Sequence, residues 1–157
     1  MKRFFFALFV VTVTSTGYAQ SIDDMAELIR EGQMMDESND WVFYGNLDYK
    51  LRGVDNEVTT YLDITEPNTT VRMYLVAKTE CIVYFDVTDK QEAYVFGTRD
   101  ADALESDLGN GFKGATSIFT FEEKFLMNIN FGVRWGCDNM IDTEMKLLVF
   151  YANKNVD

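Results

Sequence analysis

Between residues 125 and 137 the chain is apolar at every second position: Phe125, Met127, Ile129, Phe131, Val133 and Trp135. A period of two over that length is a β-strand with one buried face. The alternate positions Leu126, Asn128, Asn130, Gly132, Arg134 and Gly136 are mostly polar or small, so the opposite face is expected to meet water or a thin covering layer. The same period recurs upstream. Trp41, Phe43, Gly45, Leu47, Tyr49 and Leu51 share one face of a long strand with a bend expected at Gly45. Turns at 53–57 and at Glu66-Pro67-Asn68 then frame Val58, Thr60, Leu62 and Ile64, followed by Val71, Met73, Leu75 and Ala77. Cys81, Val83, Phe85 and Val87 alternate next, Asp89-Lys90-Gln91 breaks the run, and residues 94–96 make a short fifth strand. Residues 99–114 lack a clear period and read as a long surface loop, with one or two helical turns over 101–108 as the alternative. Residues 118–121 lead through Glu122-Glu123-Lys124 into the strand at 125, and Met145, Leu147, Val149 and Tyr151 share one face of the last strand.

Before the first strand the period changes. Ile22, Met25, Leu28 and Ile29 line one side of a helix over 22–33, opened by Ser21 with Asp24 three positions on as a capping box. A polar cluster from Gly32 to Asp40 ends it as a linker. Further upstream, Lys2 and Arg3 precede the apolar run Phe4-Phe-Phe-Ala-Leu-Phe-Val-Val-Thr-Val13, and Gly17-Tyr-Ala19 supplies small residues before a cut. This is the layout of a signal peptide cleaved after Ala19; the apolar run is well short of the roughly 20 residues that span a bilayer. The expected organisation is a signal peptide over 1–19, helix and linker over 20–40, and one β domain over 41–157, the product periplasmic or secreted with no membrane span. Eight strands at spacings of about ten residues predict an all-β fold: a jelly-roll-like antiparallel β-sandwich of about eight strands with a short N-terminal helix. A small outer-membrane β-barrel is the alternative, but most of these strands are shorter than the roughly 9 to 11 residues that a membrane strand needs.

The core expected from this reading is Trp41, Phe43, Leu47, Leu62, Ile64, Val71, Met73, Leu75, Val83, Phe85, Met127, Ile129, Phe131, Val133, Leu147 and Val149. Cys81 and Cys137 are the only cysteines, an even pair that an oxidising compartment would join. Closing a loop of about 55 residues, the bridge would stabilise the fold by roughly 4 kcal/mol in the chain-entropy treatment. Without Lys2 and Arg3, 12 basic residues face 26 acidic ones, a net charge of −14 that repels nucleic-acid phosphates and anionic lipid headgroups. The chain has no histidine, which excludes Ser-His-Asp and Cys-His catalysis and every imidazole metal site.

Leu51-Arg52-Gly53 and Tyr61-Leu62-Asp63-Ile64, then residues 70–77, 81–89, 118–121 and 125–133, resemble in order the strands of the pre-peptidase C-terminal-type domain of secreted bacterial proteins. The likeness covers residues 45–152. The stretch Cys81-Ile-Val-Tyr-Phe-Asp-Val-Thr-Asp89 is similar to that family's Asp-Leu-Asp-Leu strand, with Tyr84 in place of its first aspartate. The resemblance implies a small sandwich that serves as an accessory or binding module, not as a catalyst.

Candidate chemistry is confined to acidic loops and aromatics. Asp86 and Asp89 flank a turn; Asp100, Asp102, Glu105 and Asp107 crowd one loop; Asp138 and Asp142 follow Cys137. Calcium takes six to eight oxygens, which such loops supply, so Asp86, Asp89, Asp100 and Asp102 are the candidate ligands of a calcium-stabilised structural domain. The stretch from Asp100 opens like an EF-hand loop, then departs from it at Leu104, at Glu105 where glycine is required, and at Gly111 in place of the closing glutamate. A carboxylate-based glycan hydrolase would need two of these acids paired across a glycosidic bond, and no pair is marked. Tyr44, Tyr84, Tyr94, Phe96, Phe119 and Phe121 fall on both parities, so some can stack on sugar rings or a protein partner while others are covered. Asn68-Thr69-Thr70 also matches a glycosylation acceptor in a turn. The function expected is a non-enzymatic exported binding or accessory module, with no cofactor beyond calcium, whose partner is a protein or polysaccharide of the cell envelope.

Overall fold

The computed structural model describes residues 21–35, 40–51, 57–99, 104–133 and 142–153. In chain order these form α1 (Ile22–Met34), β1 (Val42–Lys50), β2 (Glu57–Ile64), β3 (Thr69–Lys78), β4 (Val83–Thr88), β5 (Tyr94–Gly97), β6 (Leu104–Gly109), β7 (Phe112–Phe121), β8 (Phe125–Val133) and β9 (Glu144–Asn153). The signal-peptide reading, Trp135 and Cys137 lie outside the described residues.

Two antiparallel sheets carry the fold, one ordered β1-β9-β3-β7-β6 and the other β2-β8-β4-β5. With β6 set aside, β1 pairs with β9, β2 with β8, β3 with β7 and β4 with β5. The chain is thus one long hairpin whose successive strand pairs fall alternately in the two sheets, which is the jelly-roll order. Both sheets are open-ended, unlike the single closed sheet of the outer-membrane alternative.

Alternate residues of both sheets meet between them. Val71, Met73, Leu75, Phe85, Met127, Ile129, Phe131 and Leu147 are buried there, as their parity predicts. A second core lies on the outer side of the larger sheet. Ser21 accepts from the Asp24 N–H and Asp24 accepts from the Ser21 N–H, both at 3.1 Å, so the expected capping box starts α1. Ile22, Met25 and Ala26 then cover Val76, Phe112, Leu148 and Phe150. Because α1 lies on β3 and β9, both faces of these central strands are buried, and their sequences read as near-continuous apolar runs.

Several expectations need correction. The described residues form nine strands, one more than expected, since β6 lies in the stretch expected to be loop or helical turn. It is an edge strand with exposed Glu105, Ser106 and Asp107, so backbone pairing with β7 holds it and no apolar alternation marks it. Its hairpin turns through Gly109, Asn110 and Gly111, all at positive φ. β7 starts at Phe112, ahead of the expected Ile118, because Gly114, Ala115, Thr116 and Ser117 hide its period. In β1 the register shifts between Phe43 and Gly45. This bulge changes which face the odd residues serve: Trp41 and Phe43 pack under α1, whereas Leu51 packs between the sheets. Leu47 remains 38 % exposed because β1 is an edge, and Phe43 and Leu62 are only half-buried.

Candidate functional site

The larger sheet has its outer face under α1, but the outer face of β2-β8-β4-β5 carries no described helix. Residues at odd positions in β2 and even positions in β4 and β8 project from it, and the register arranges them in rows. One row is Glu57, Gly132 and Tyr84; the next is Thr59, Asn130, Asp86 and Gly97; the third is Tyr61, Asn128, Thr88 and Tyr94. Asp63 opposite Leu126 begins a fourth. At an interstrand spacing of about 4.8 Å, the third row spreads two tyrosines over roughly 14 Å.

Side-chain contacts hold these groups in place. The Tyr84 hydroxyl donates to Glu57 Oε2. Burial of the ring, aided by that bond and by the Glu57 charge, pushes the Tyr84 phenol well above its ordinary value, so it stays a donor at physiological pH. Thr59 Oγ1 donates to Asn130 Oδ1 at 2.7 Å, and Asn128 Nδ2 donates to the Asp89 carbonyl at 3.0 Å. Arg99 reaches over the smaller edge. Its guanidinium lies 4.3 Å from the centre of the Tyr94 ring and 3.0 Å from Asp86 Oδ2. Asp86 Oδ1 is buried with no hydrogen-bond partner. Tyr61 stands clear of all this at 67 % exposure.

The acidic candidates have other duties. Asp89 Oδ1 accepts from the N–H groups of Gln91 and Ala93 at 2.8 and 2.9 Å and closes the turn into β5. Asp86 is paired with Arg99, so the two aspartates serve different structures. Asp100, Asp102 and Asp138 lie outside the described residues. Asp107, on exposed β6, sits 2.7 Å from Lys113 Nζ; that bond holds its carboxyl below the usual range, helped by the Gly109 N–H. Asp142 lies 3.8 Å from Lys50. Among the described residues no group of three or more cysteine or acidic side chains is placed to hold a metal ion. Cys81 is buried just before β4, and no described cysteine is a free thiol.

The aromatics divide by type. Phe96 and Phe121 are buried, and with Phe119 and Phe125 they form a run of ring contacts between the sheets at 4.9 to 5.9 Å. The tyrosines stay at surfaces: Tyr84 and Tyr94 are half-buried on the open face, and Tyr44 is 59 % exposed on β1. Tyr61 is absent from the expected aromatic set, although its signal is plain, since it alternates with inward Thr60 and Leu62 and shares its parity with Glu57, Thr59 and Asp63. Searched against family models and characterised proteins, the chain matches none. The likeness to the pre-peptidase C-terminal-type domain therefore rests on the strand residues quoted above.

Proposed function

We propose that this is a non-enzymatic exported module that binds a neutral polysaccharide of the cell envelope on the open face of its four-stranded sheet. The observation that carries the reading is the row Tyr61, Asn128, Thr88 and Tyr94 beside Thr59, Asn130 and Asp86. Tyrosine rings offer flat apolar surface to the C–H faces of sugars, and the amide, hydroxyl and carboxylate groups between them match sugar hydroxyls, which both donate and accept. Preset contacts such as Thr59 to Asn130 and Arg99 to Tyr94 reduce the ordering that binding requires. The net charge of −12 disfavours phosphorylated polymers and leaves uncharged glycans as the better match. Export through the amino-terminal signal, with cleavage after Ala19, places the module in the periplasm or outside the cell.

The test is calorimetric titration of the mature protein with neutral oligosaccharides prepared from envelope polysaccharides. At least one should bind, remain unhydrolysed, and lose about tenfold in affinity with Tyr61→Ala, the equivalent of ~1.4 kcal/mol. If no oligosaccharide binds, or if binding ignores Tyr61→Ala, the reading fails.

A further inference from the structure

The third row of the open face crosses all four strands, with Tyr61 on β2, Asn128 on β8, Thr88 on β4 and Tyr94 on β5. Its two rings therefore stand three strand spacings apart, roughly 14 Å. Along the strands no such pair exists. The outward side of β2 carries Glu57, Thr59, Tyr61 and Asp63, one ring between two exposed carboxylates. On β8 the outward residues Asn130, Asn128 and Leu126 include no ring, and on β4 the one ring, Tyr84, has its hydroxyl committed to Glu57. Thr88 is small and buried, so the row stays low between Asn128 and Tyr94. Arg99, exposed itself, lies against the Tyr94 ring and pairs with Asp86, so it fixes that ring and adds N–H donors at the end of the row.

Resting on the glycan reading of this face, we infer that the ligand is a linear, extended chain of all-equatorial pyranoses joined β-1,4, lying across the strands with four consecutive units in the site, one on each strand. A β-1,4 linkage between equatorial oxygens keeps successive rings in a nearly straight ribbon, and each unit advances the chain by close to the ~4.8 Å that separates neighbouring strands. The first unit then stacks on Tyr61 and the fourth meets Tyr94. Successive units of such a ribbon are turned over, so these two present opposite faces. An all-equatorial ring carries only C–H bonds on both faces, so either can lie against an aromatic ring, whereas an axial hydroxyl would put a polar group there. An α-1,4 chain coils and leaves the plane of the sheet. Between the tyrosines, Asn128 gives an Nδ2 hydrogen to the Asp89 carbonyl and offers its Oδ1; Asn130, in the next row, receives the Thr59 hydroxyl on Oδ1 and offers its Nδ2. An acceptor and a donor along β8 suit the hydroxyls of the inner units, which do both.

The experiment is calorimetric titration of the mature protein with β-1,4 oligomers of glucose and of N-acetylglucosamine, from dimer to hexamer, beside α-1,4 glucose oligomers of the same lengths. Affinity for at least one β series should climb about tenfold or more from dimer to tetramer and level off there, with the α series at least about tenfold weaker. With the tetramer, Tyr61→Ala and Tyr94→Ala should each cost about tenfold; with the dimer, which reaches only one ring, at most one of these losses should remain. Levelling at the dimer, a tetramer indifferent to Tyr94→Ala, or equal binding of the α series would overturn the inference. So would silence from both β series while another neutral oligosaccharide binds and depends on Tyr61. In each of these cases the glycan reading itself stands, whereas silence from every oligosaccharide removes both. The length series on the wild-type protein needs no variant, so it decides the matter even where Tyr94→Ala disturbs the fold.

Discussion

At Gly97 the backbone passes so close to β4 that a Cβ atom would stand 2.4 Å from the Phe85 carbonyl oxygen and 2.9 Å from the Asp86 Cα. Its φ of 149° adds a conformation that side chains resist. Because the obstacle is backbone, it cannot rotate away. Gly97→Ala should therefore cost about 2 to 3 kcal/mol in urea unfolding, a loss of overpacking type. A change below about 0.5 kcal/mol, the scale of a neutral surface substitution, would show that β5 shifts freely. At this same scale parity was informative in part: Tyr84 alternates with inward Val83 and Phe85, and Tyr61 could have been read the same way, whereas Tyr94 shares its parity with buried Phe96 and faces outward only through the register shift opposite Val87 and Thr88. Asp89 was not legible, because an aspartate that closes its own turn and one that waits for calcium have the same neighbours in sequence.

Between elements, Lys146 ties three together. It lies on β9 with its side chain 13 % exposed, and its ammonium is 2.7 Å from Asp23 of α1 and 2.6 Å from Asp48 of β1. Burial pulls its pKa down, but the bonds to Asp23 and Asp48 outweigh this and hold it above the ordinary 10.5. A raised folded value means that the contribution is complete below the unfolded lysine value and fades as pH rises through the folded one. Urea midpoints of the wild-type protein should accordingly exceed those of Lys146→Met at neutral pH, by about 0.5 to 1 kcal/mol because both partners are exposed. That gap should close on the alkaline side of 10.5. A gap that persists there would assign the effect to packing of the stem. The helix itself was readable from its capping box and its apolar face, whereas β6 was not, because an edge strand needs only a partner's backbone.

For the whole molecule, the expected Cys81–Cys137 bridge would be the constraint with the longest reach. Cys81 is 4 % exposed at the entry to β4; Cys137 lies outside the described residues. The expected outcome is that thiol titration of unfolded, unreduced mature protein finds no free sulfhydryl, and that reduction lowers stability by roughly 4 kcal/mol. Two reactive thiols in that titration would end the idea. The open sheet face is also a property at this scale, since it is composed of strands far apart in the chain.

Class and local form were determined by the sequence alone: strands at period two, a capped helix at period 3.6, and a chain with no imidazole chemistry. Burial acts on one face of each element, and neighbouring residues record that face directly. The jelly-roll order, the choice of which sheet α1 covers, the switch of faces at the β1 bulge and the assembly of Tyr61, Asn128 and Tyr94 into one row were decided only by tertiary structure. Each of these depends on which distant strand lies alongside, and alternation is the same whichever partner a strand takes.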